Sequence, residues 1–170
     1  MIAMLGLLSC VGPATIDAYL PAFDAIGQSF GAAPQTVQQT LGVYMFAYAA
    51  MMLFHGSLSD SFGRKRIVCV SLAVYLAGSL CAAFAPTVQA LLLARVVQGL
   101  SSGAGIVVGQ AIIRDCYDGV AARKAMSYVL VIFNISPALA PILGGYLIVH
   151  QGWRSVFLAM AALSLAAMWL

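Results

Sequence analysis

Six apolar runs follow one another along this chain, each close to the length that crosses a bilayer, with short polar breaks between them. A helix needs about 20 residues to traverse the hydrocarbon core. In lipid, every backbone N–H and C=O must find its partner inside protein, which restricts spanning segments to helices or closed barrels. Barrel strands alternate apolar and polar residues over about ten positions, and these runs do not alternate. The chain is therefore read as an all-α membrane protein with six transmembrane helices. The runs cover Ile2 to Phe23, Gln38 to Leu58, Ile67 to Ala85, Val88 to Ile113, and Ala125 to Val149. The sixth starts near Arg154 and is still apolar at Leu170. Residues 1–170 are thus expected to form one six-helix domain, cut within its sixth helix.

Composition agrees. The chain is 63% hydrophobic and 8% charged, whereas soluble domains carry about 25% charged residues. A soluble fold would have to expose much of its Leu, Val and Ala to water. The first run has no basic region before it, no short core ending in a cleavage site, and an internal Asp17, so it reads as a retained span rather than a signal peptide. The net charge of +3 is too small to imply nucleic acid as a partner. Cys10, Cys69, Cys81 and Cys116 are scattered without a CxxC pair, so neither a metal site nor a disulfide framework is expected.

Basic residues set the orientation. Arg64, Lys65 and Arg66 lie between the second and third runs, and Arg114, Arg123 and Lys124 between the fourth and fifth. The loops of the opposite side hold only Arg154. This asymmetry predicts a cytoplasmic amino terminus.

Two ionisable residues fall well inside spans. Asp17 lies about seven residues before the outer end of the first, and Arg95 about seven residues after the outer start of the fourth. At 1.5 Å per residue, each sits about 10 Å below the outer surface. Lipid exposure of a charge costs roughly 2.5–3.5 kcal/mol even on the mildest scale, so both are expected to face each other or a watery cavity. A carboxylate in such a place can gain and lose a proton. Gly99–Gly103 and Gly105–Gly109 have G-x-x-x-G spacing, which permits close helix approach. In the fifth run, Pro137 and Pro141 deprive two carbonyls of donors and predict a bend, with close packing through Gly144 and Gly145.

Catalysis finds no support. Gly99-Leu100-Ser101-Ser102-Gly103 fits G-x-S-x-G, but a nucleophile elbow needs a strand–turn–helix setting. Neither His55 nor His150 lies at the depth of Ser101. No Walker, dinucleotide or H-E-x-x-H pattern is present. The chain is read as a non-enzyme that needs no cofactor.

The segment Gly56-Ser57-Leu58-Ser59-Asp60-Ser61-Phe62-Gly63-Arg64-Lys65-Arg66 resembles the G-x-L-A-D-x-x-G-R-K loop of the major facilitator superfamily. Gly56, Leu58, Asp60, Gly63, Arg64 and Lys65 match, while Ser59 replaces the usual Ala and Ser61 stands where Arg is common. Arg95-Val96-Val97-Gln98-Gly99 is similar to the family's R-x-x-Q-G stretch, whose Arg is tied to proton coupling. Ala140-Pro141-Ile142-Leu143-Gly144-Gly145 resembles the antiporter motif G-P-x-x-G-G, with Ala140 at its leading Gly. Thr15 to Ala22 and Arg114-Asp115-Cys116-Tyr117 look like the bicyclomycin-resistance (Bcr/CflA) branch of drug/proton antiporters.

The resemblance implies the amino-terminal half of a major facilitator fold, built as two inverted three-helix repeats. It implies proton-coupled efflux of small molecules or drugs across the cell inner membrane by alternating access. The partners implied are a small-molecule substrate, protons, the lipid bilayer and a missing carboxy-terminal six-helix half. Asp17 and Arg95 would carry coupling. Asp60, Arg64 and Asp115 would form a cytoplasmic ionic network, and Tyr19, Tyr44, Tyr48, Gln98 and Asn134 would line the cavity. An importer or metabolite exporter of the same fold is the alternative within transport. A non-transporting membrane scaffold is the alternative outside it.

Overall fold

The computed structural model describes residues 2–169, which form helices joined by short turns, with no strand among them. In chain order the helices are α1 (Ile2–Asp17), α2 (Phe23–Phe30), α3 (Pro34–Phe62), α4 (Arg64–Ala83), α5 (Val88–Ser102), α6 (Ala104–Cys116), α7 (Gly119–Gln151) and α8 (Arg154–Trp169). A 3₁₀ turn at Leu20–Ala22 joins α1 to α2. Five segments are long and apolar enough to cross a bilayer: Ile2–Phe30, Pro34–Phe62, Arg64–Ala83, Val88–Cys116 and Gly119–Gln151. Helix α8 is a shorter apolar helix. The expected continuation of the sixth run at Leu170 lies outside the described residues.

Several boundaries differ from the sequence reading. The break between the first two apolar runs, expected to hold a connecting loop from Asp24 to Gln35, is mostly helix. Asp24 lies in the first turn of α2, where a negative charge complements the helix dipole. Gly31 ends that helix at φ 58°, its amide reaching the carbonyls of Gln28 and Gly27. The charged turn between the second and third spans shrinks to one residue. Asp60 and Phe62 belong to α3, Arg64 opens α4, and Gly63 alone turns the chain at φ 91°. That conformation is costly for any residue with a Cβ. Likewise Arg123 and Lys124 lie in α7, not in a loop. The fourth span is divided at Gly103 into α5 and α6. Helix α7 runs unbroken through Pro137 and Pro141.

Helix α3 packs on α5, α4 lies against α5 and α8, and α1 lies against α7 and α6. Glycines set the closest approaches. A Cβ on Gly105 would overlap the Leu8 carbonyl of α1, and one on Gly99 would overlap the Tyr44 carbonyl of α3. Their G-x-x-x-G partners are less confined: Gly103 meets only side-chain atoms, and Gly109 has ordinary contacts beginning at 3.6 Å. On α7, a Cβ at Gly144 would overlap the Ala18 carbonyl and lie 2.9 Å from the Ala18 Cα, whereas Gly145 has nothing within 4 Å. The expected packing through both glycines is therefore confined to Gly144. Successive residues point about 100° apart on a helix, so only one of the pair can face α1.

Two apolar clusters fill the bundle. One, at the end bearing Trp153, includes Tyr19, Ile26, Tyr75, Leu91 and Phe157; the other, toward Gly63, includes Leu5, Leu8, Leu72, Ile113 and Val129. Outward faces stay apolar. Phe46, Leu53 and Val149 are each 79% exposed, which suits a lipid surround and not water.

Candidate functional site

Arg95 is the largest fully buried side chain, at 0% exposure. Helix α5, which carries it, starts at Thr87, whose hydroxyl caps the Ala90 amide at 3.2 Å. The guanidinium carbon lies 4.2 Å from the Tyr19 ring centroid, 4.3 Å from that of Tyr44 and 5.8 Å from that of Phe157. Tyr19 comes from the turn after α1, Tyr44 from α3 and Phe157 from α8. Three segments thus build one aromatic cage around a single cation held by a fourth, α5. Electron-rich ring faces attract it, by about 2 kcal/mol or more where water is absent.

Hydroxyls and an amide complete the shell. Arg95 Nη1 donates to Gln98 Oε1 at 3.0 Å, Gln98 Nε2 donates to Ser79 Oγ at 2.8 Å, and Ser79 Oγ donates to the Tyr75 carbonyl at 2.8 Å. The Tyr75 hydroxyl meets the Thr15 hydroxyl. The Tyr19 hydroxyl lies 2.6 Å from Thr40 Oγ1. The Tyr44 hydroxyl lies 3.0 Å from the Gly12 carbonyl and 2.9 Å from Ser102 Oγ. Two donors of the guanidinium, Nε and Nη2, have no hydrogen-bond partner among the described residues. Buried donors are nearly always paired.

Of the two expected placements, mutual contact or a watery cavity, direct contact is not formed: Asp17 and Arg95 make no ion pair among the described residues. Among the described residues, both ion pairs belong to Arg64. Asp17 is half-buried and ends α1. The chain turns there, and Tyr19, two residues on, is what reaches the arginine. Helix α1 packs mainly on α7 and α6, while α5 faces α3 and α4.

Of the other expected cavity residues, Tyr19, Tyr44 and Gln98 surround Arg95. Tyr48 is half-buried and stacks on Tyr44, with centroids 6.2 Å apart. Asn134 lies apart, exposed on α7, and spends its amide on the Leu130 carbonyl at 2.7 Å. The sequence reading missed Thr15, Thr40, Tyr75, Ser79, Ser102 and Phe157. The hydroxyl pair Tyr75 and Ser79, one helical turn apart inside an apolar run, was the available signal.

A second polar cluster joins α3, α4 and α6. Arg64 Nε donates to Asp115 Oδ2 at 3.0 Å, and Nη1 pairs with Asp60 one turn earlier while also donating to the buried Ser59 hydroxyl. The carboxylates stay open, with Asp60 63% and Asp115 53% exposed. Open pairs of this kind contribute about 0–1 kcal/mol. Arg64→Ala is therefore expected to lower unfolding stability by no more than about 1 kcal/mol, read from denaturant titration of the purified protein. A larger loss would show that the cluster holds the fold together.

Comparison with known proteins adds to this geometry. The family model described as Major Facilitator Superfamily matches residues 5–170. A bicyclomycin resistance protein homolog of Haemophilus influenzae is 33% identical over 166 residues, covering 98% of this chain and 42% of that protein. Multidrug resistance protein D of Escherichia coli is 30% identical over 163 residues, covering 96% of this chain and 41% of its own length. Multidrug resistance protein MdtL of Klebsiella pneumoniae is 34% identical over 151 residues, covering 89% and 38%. The chain thus spans about two fifths of these relatives. Among solved structures, a peptide transporter POT in complex with alafosfalin superposes with a TM-score of 0.83 at 18% identity, covering 98% of this chain and 36% of that one. That similarity concerns the fold alone.

Proposed function

The chain belongs to the major facilitator superfamily, and on that premise we propose that it is the amino-terminal half of a proton-coupled carrier that exports small molecules by alternating access. Six further helices would close the cavity. The carrier would be a multi-pass protein of the cell inner membrane with its amino terminus in the cytoplasm, as the basic residues on the Gly63 side suggest. The names of its relatives, resistance proteins among them, favour drugs or drug-like solutes as cargo.

The observation that carries the proposal is the buried Arg95 with two unpartnered donors. An arginine kept only for structure would be fully paired, since an uncompensated buried charge is costly. A cation held by ring faces, with donors to spare, is suited to a partner that comes and goes during a cycle. Ring faces keep it in place when the partner leaves. Asp17 would be the proton-carrying acid, and Asp60, Arg64 and Asp115 would latch one conformation of the cytoplasmic side.

Asp17→Asn in the full-length carrier tests coupling. The protein should accumulate normally in the membrane. Export of a cationic drug driven by an imposed pH gradient in vesicles should fall about 100-fold or more, the range in which a positioned proton carrier contributes to a rate. Undiminished gradient-driven export by this variant would remove Asp17 from the mechanism.

A further inference from the structure

Gly78 lets α4 come close against α5: a Cβ there would lie 3.0 Å from Gln98 Cγ and 3.1 Å from the Gln98 backbone nitrogen. The next residue, Ser79, thereby reaches the Gln98 side chain, and both are fully buried. Three hydrogen bonds run in line from the cation to the α4 backbone. Arg95 Nη1 donates to Gln98 Oε1 at 3.0 Å, Gln98 Nε2 to Ser79 Oγ at 2.8 Å, and Ser79 Oγ to the Tyr75 carbonyl at 2.8 Å.

The two ends of this line fix its direction. A guanidinium can only donate and a carbonyl can only accept. Ser79 has one proton, and the Tyr75 carbonyl takes it. Ser79 Oγ is then left to accept, so the NH2 of Gln98 turns to Ser79 and its oxygen to Arg95. Without Ser79, that NH2 would be a buried donor with no acceptor, which is costly enough to drive the side chain elsewhere. We propose that Ser79 is a positioning residue for Arg95. It holds Gln98, Gln98 holds Nη1, and the remaining edge of the guanidinium, Nε with Nη2, is kept whole for the partner that comes and goes. That edge carries two parallel N–H bonds, the pair that a carboxylate takes with both oxygens. The role of Ser79 in export rests on the carrier reading above; its hold on Arg95 does not.

The test is NMR of the purified full-length protein with nitrogen-15-labelled arginine, the Arg95 signals being those absent from Arg95→Lys. Ser79→Ala should move the bonded Nη signal toward the position of an unbonded one, because the orphaned Gln98 amide leaves Arg95 for another acceptor. Gradient-driven export should fall about tenfold, the usual effect of a buried donor deprived of its acceptor. In Gln98→Glu the side chain has no NH2 to orphan, and both its oxygens accept. Adding Ser79→Ala to it should therefore leave the Arg95 signals where Gln98→Glu puts them. A role of Ser79 in packing alone would move those signals in both backgrounds, and that result would overturn the proposal. An unmoved Nη signal in Ser79→Ala would overturn it too, as would undiminished export by Ser79→Ala in a carrier whose parent exports. A parent that exports nothing would refute the carrier reading alone, since the NMR comparison decides the hold on Arg95 without transport.

Discussion

In the full-length protein, if it is the proton-coupled exporter proposed above, Arg95→Lys should reach the membrane in normal amounts and lose gradient-driven export by about 30-fold. The charge is preserved, so a purely electrostatic role predicts little change. The shape is not preserved. A guanidinium is flat and weakly hydrated and can lie between two rings; an ammonium is compact and keeps its water. Here the planar group sits 4.2 and 4.3 Å from the rings of Tyr19 and Tyr44. Losing about 2 kcal/mol of desolvated cation–ring attraction corresponds to roughly 30-fold. Tyr19→Phe and Tyr44→Phe, which keep the rings and drop the hydroxyls, should cost far less. Transport into inverted vesicles, normalised to carrier content, decides the matter. Wild-type export by the lysine variant would make the stacking incidental.

Gly144→Ala should destabilise the helical bundle by about 3 kcal/mol, the upper end of the usual overpacking range, while the same change at neighbouring Gly145 should be silent. The contrast follows from what a methyl group would meet. At Gly144 it strikes backbone atoms of Ala18, which cannot swing aside as a side chain can; at Gly145 it enters open space. Helix α7 would have to shift away from the carboxy-terminal end of α1. Monodispersity after stepwise heating in detergent distinguishes the two variants. Equal tolerance of both would mean that α7 is free to slide on α1.

The spans were legible in the sequence because lipid imposes a simple rule on length and polarity, and Arg64 met its carboxylates because all three lie near the same helix ends. That Asp17 and Arg95 form no ion pair was not legible. Depth along a helix axis can be counted in residues, but rotation about that axis depends on which neighbour each helix packs against. The rings around Arg95 come from α3, α8 and the turn after α1, and no local spacing connects them; only Gln98, three residues on, is a local partner. The helical course of Phe23–Phe30 was hidden by a different cause. Its glycines and Asp24 read as loop residues, yet Asp24 complements the start of that helix and only Gly31 ends it.

Gly63 has a consequence for how the protein is made. One residue joins α3 to α4, so no slack exists for the first to settle across the membrane while the second waits outside. In the orientation proposed above, the two would enter as a pair, their shared tip on the cytoplasmic side. Three cations at that tip oppose its passage across the bilayer, and the single-residue turn spreads that restraint over 29 residues of α3 and 20 of α4. On that proposal, the orientation of both helices would be settled in one step during biogenesis.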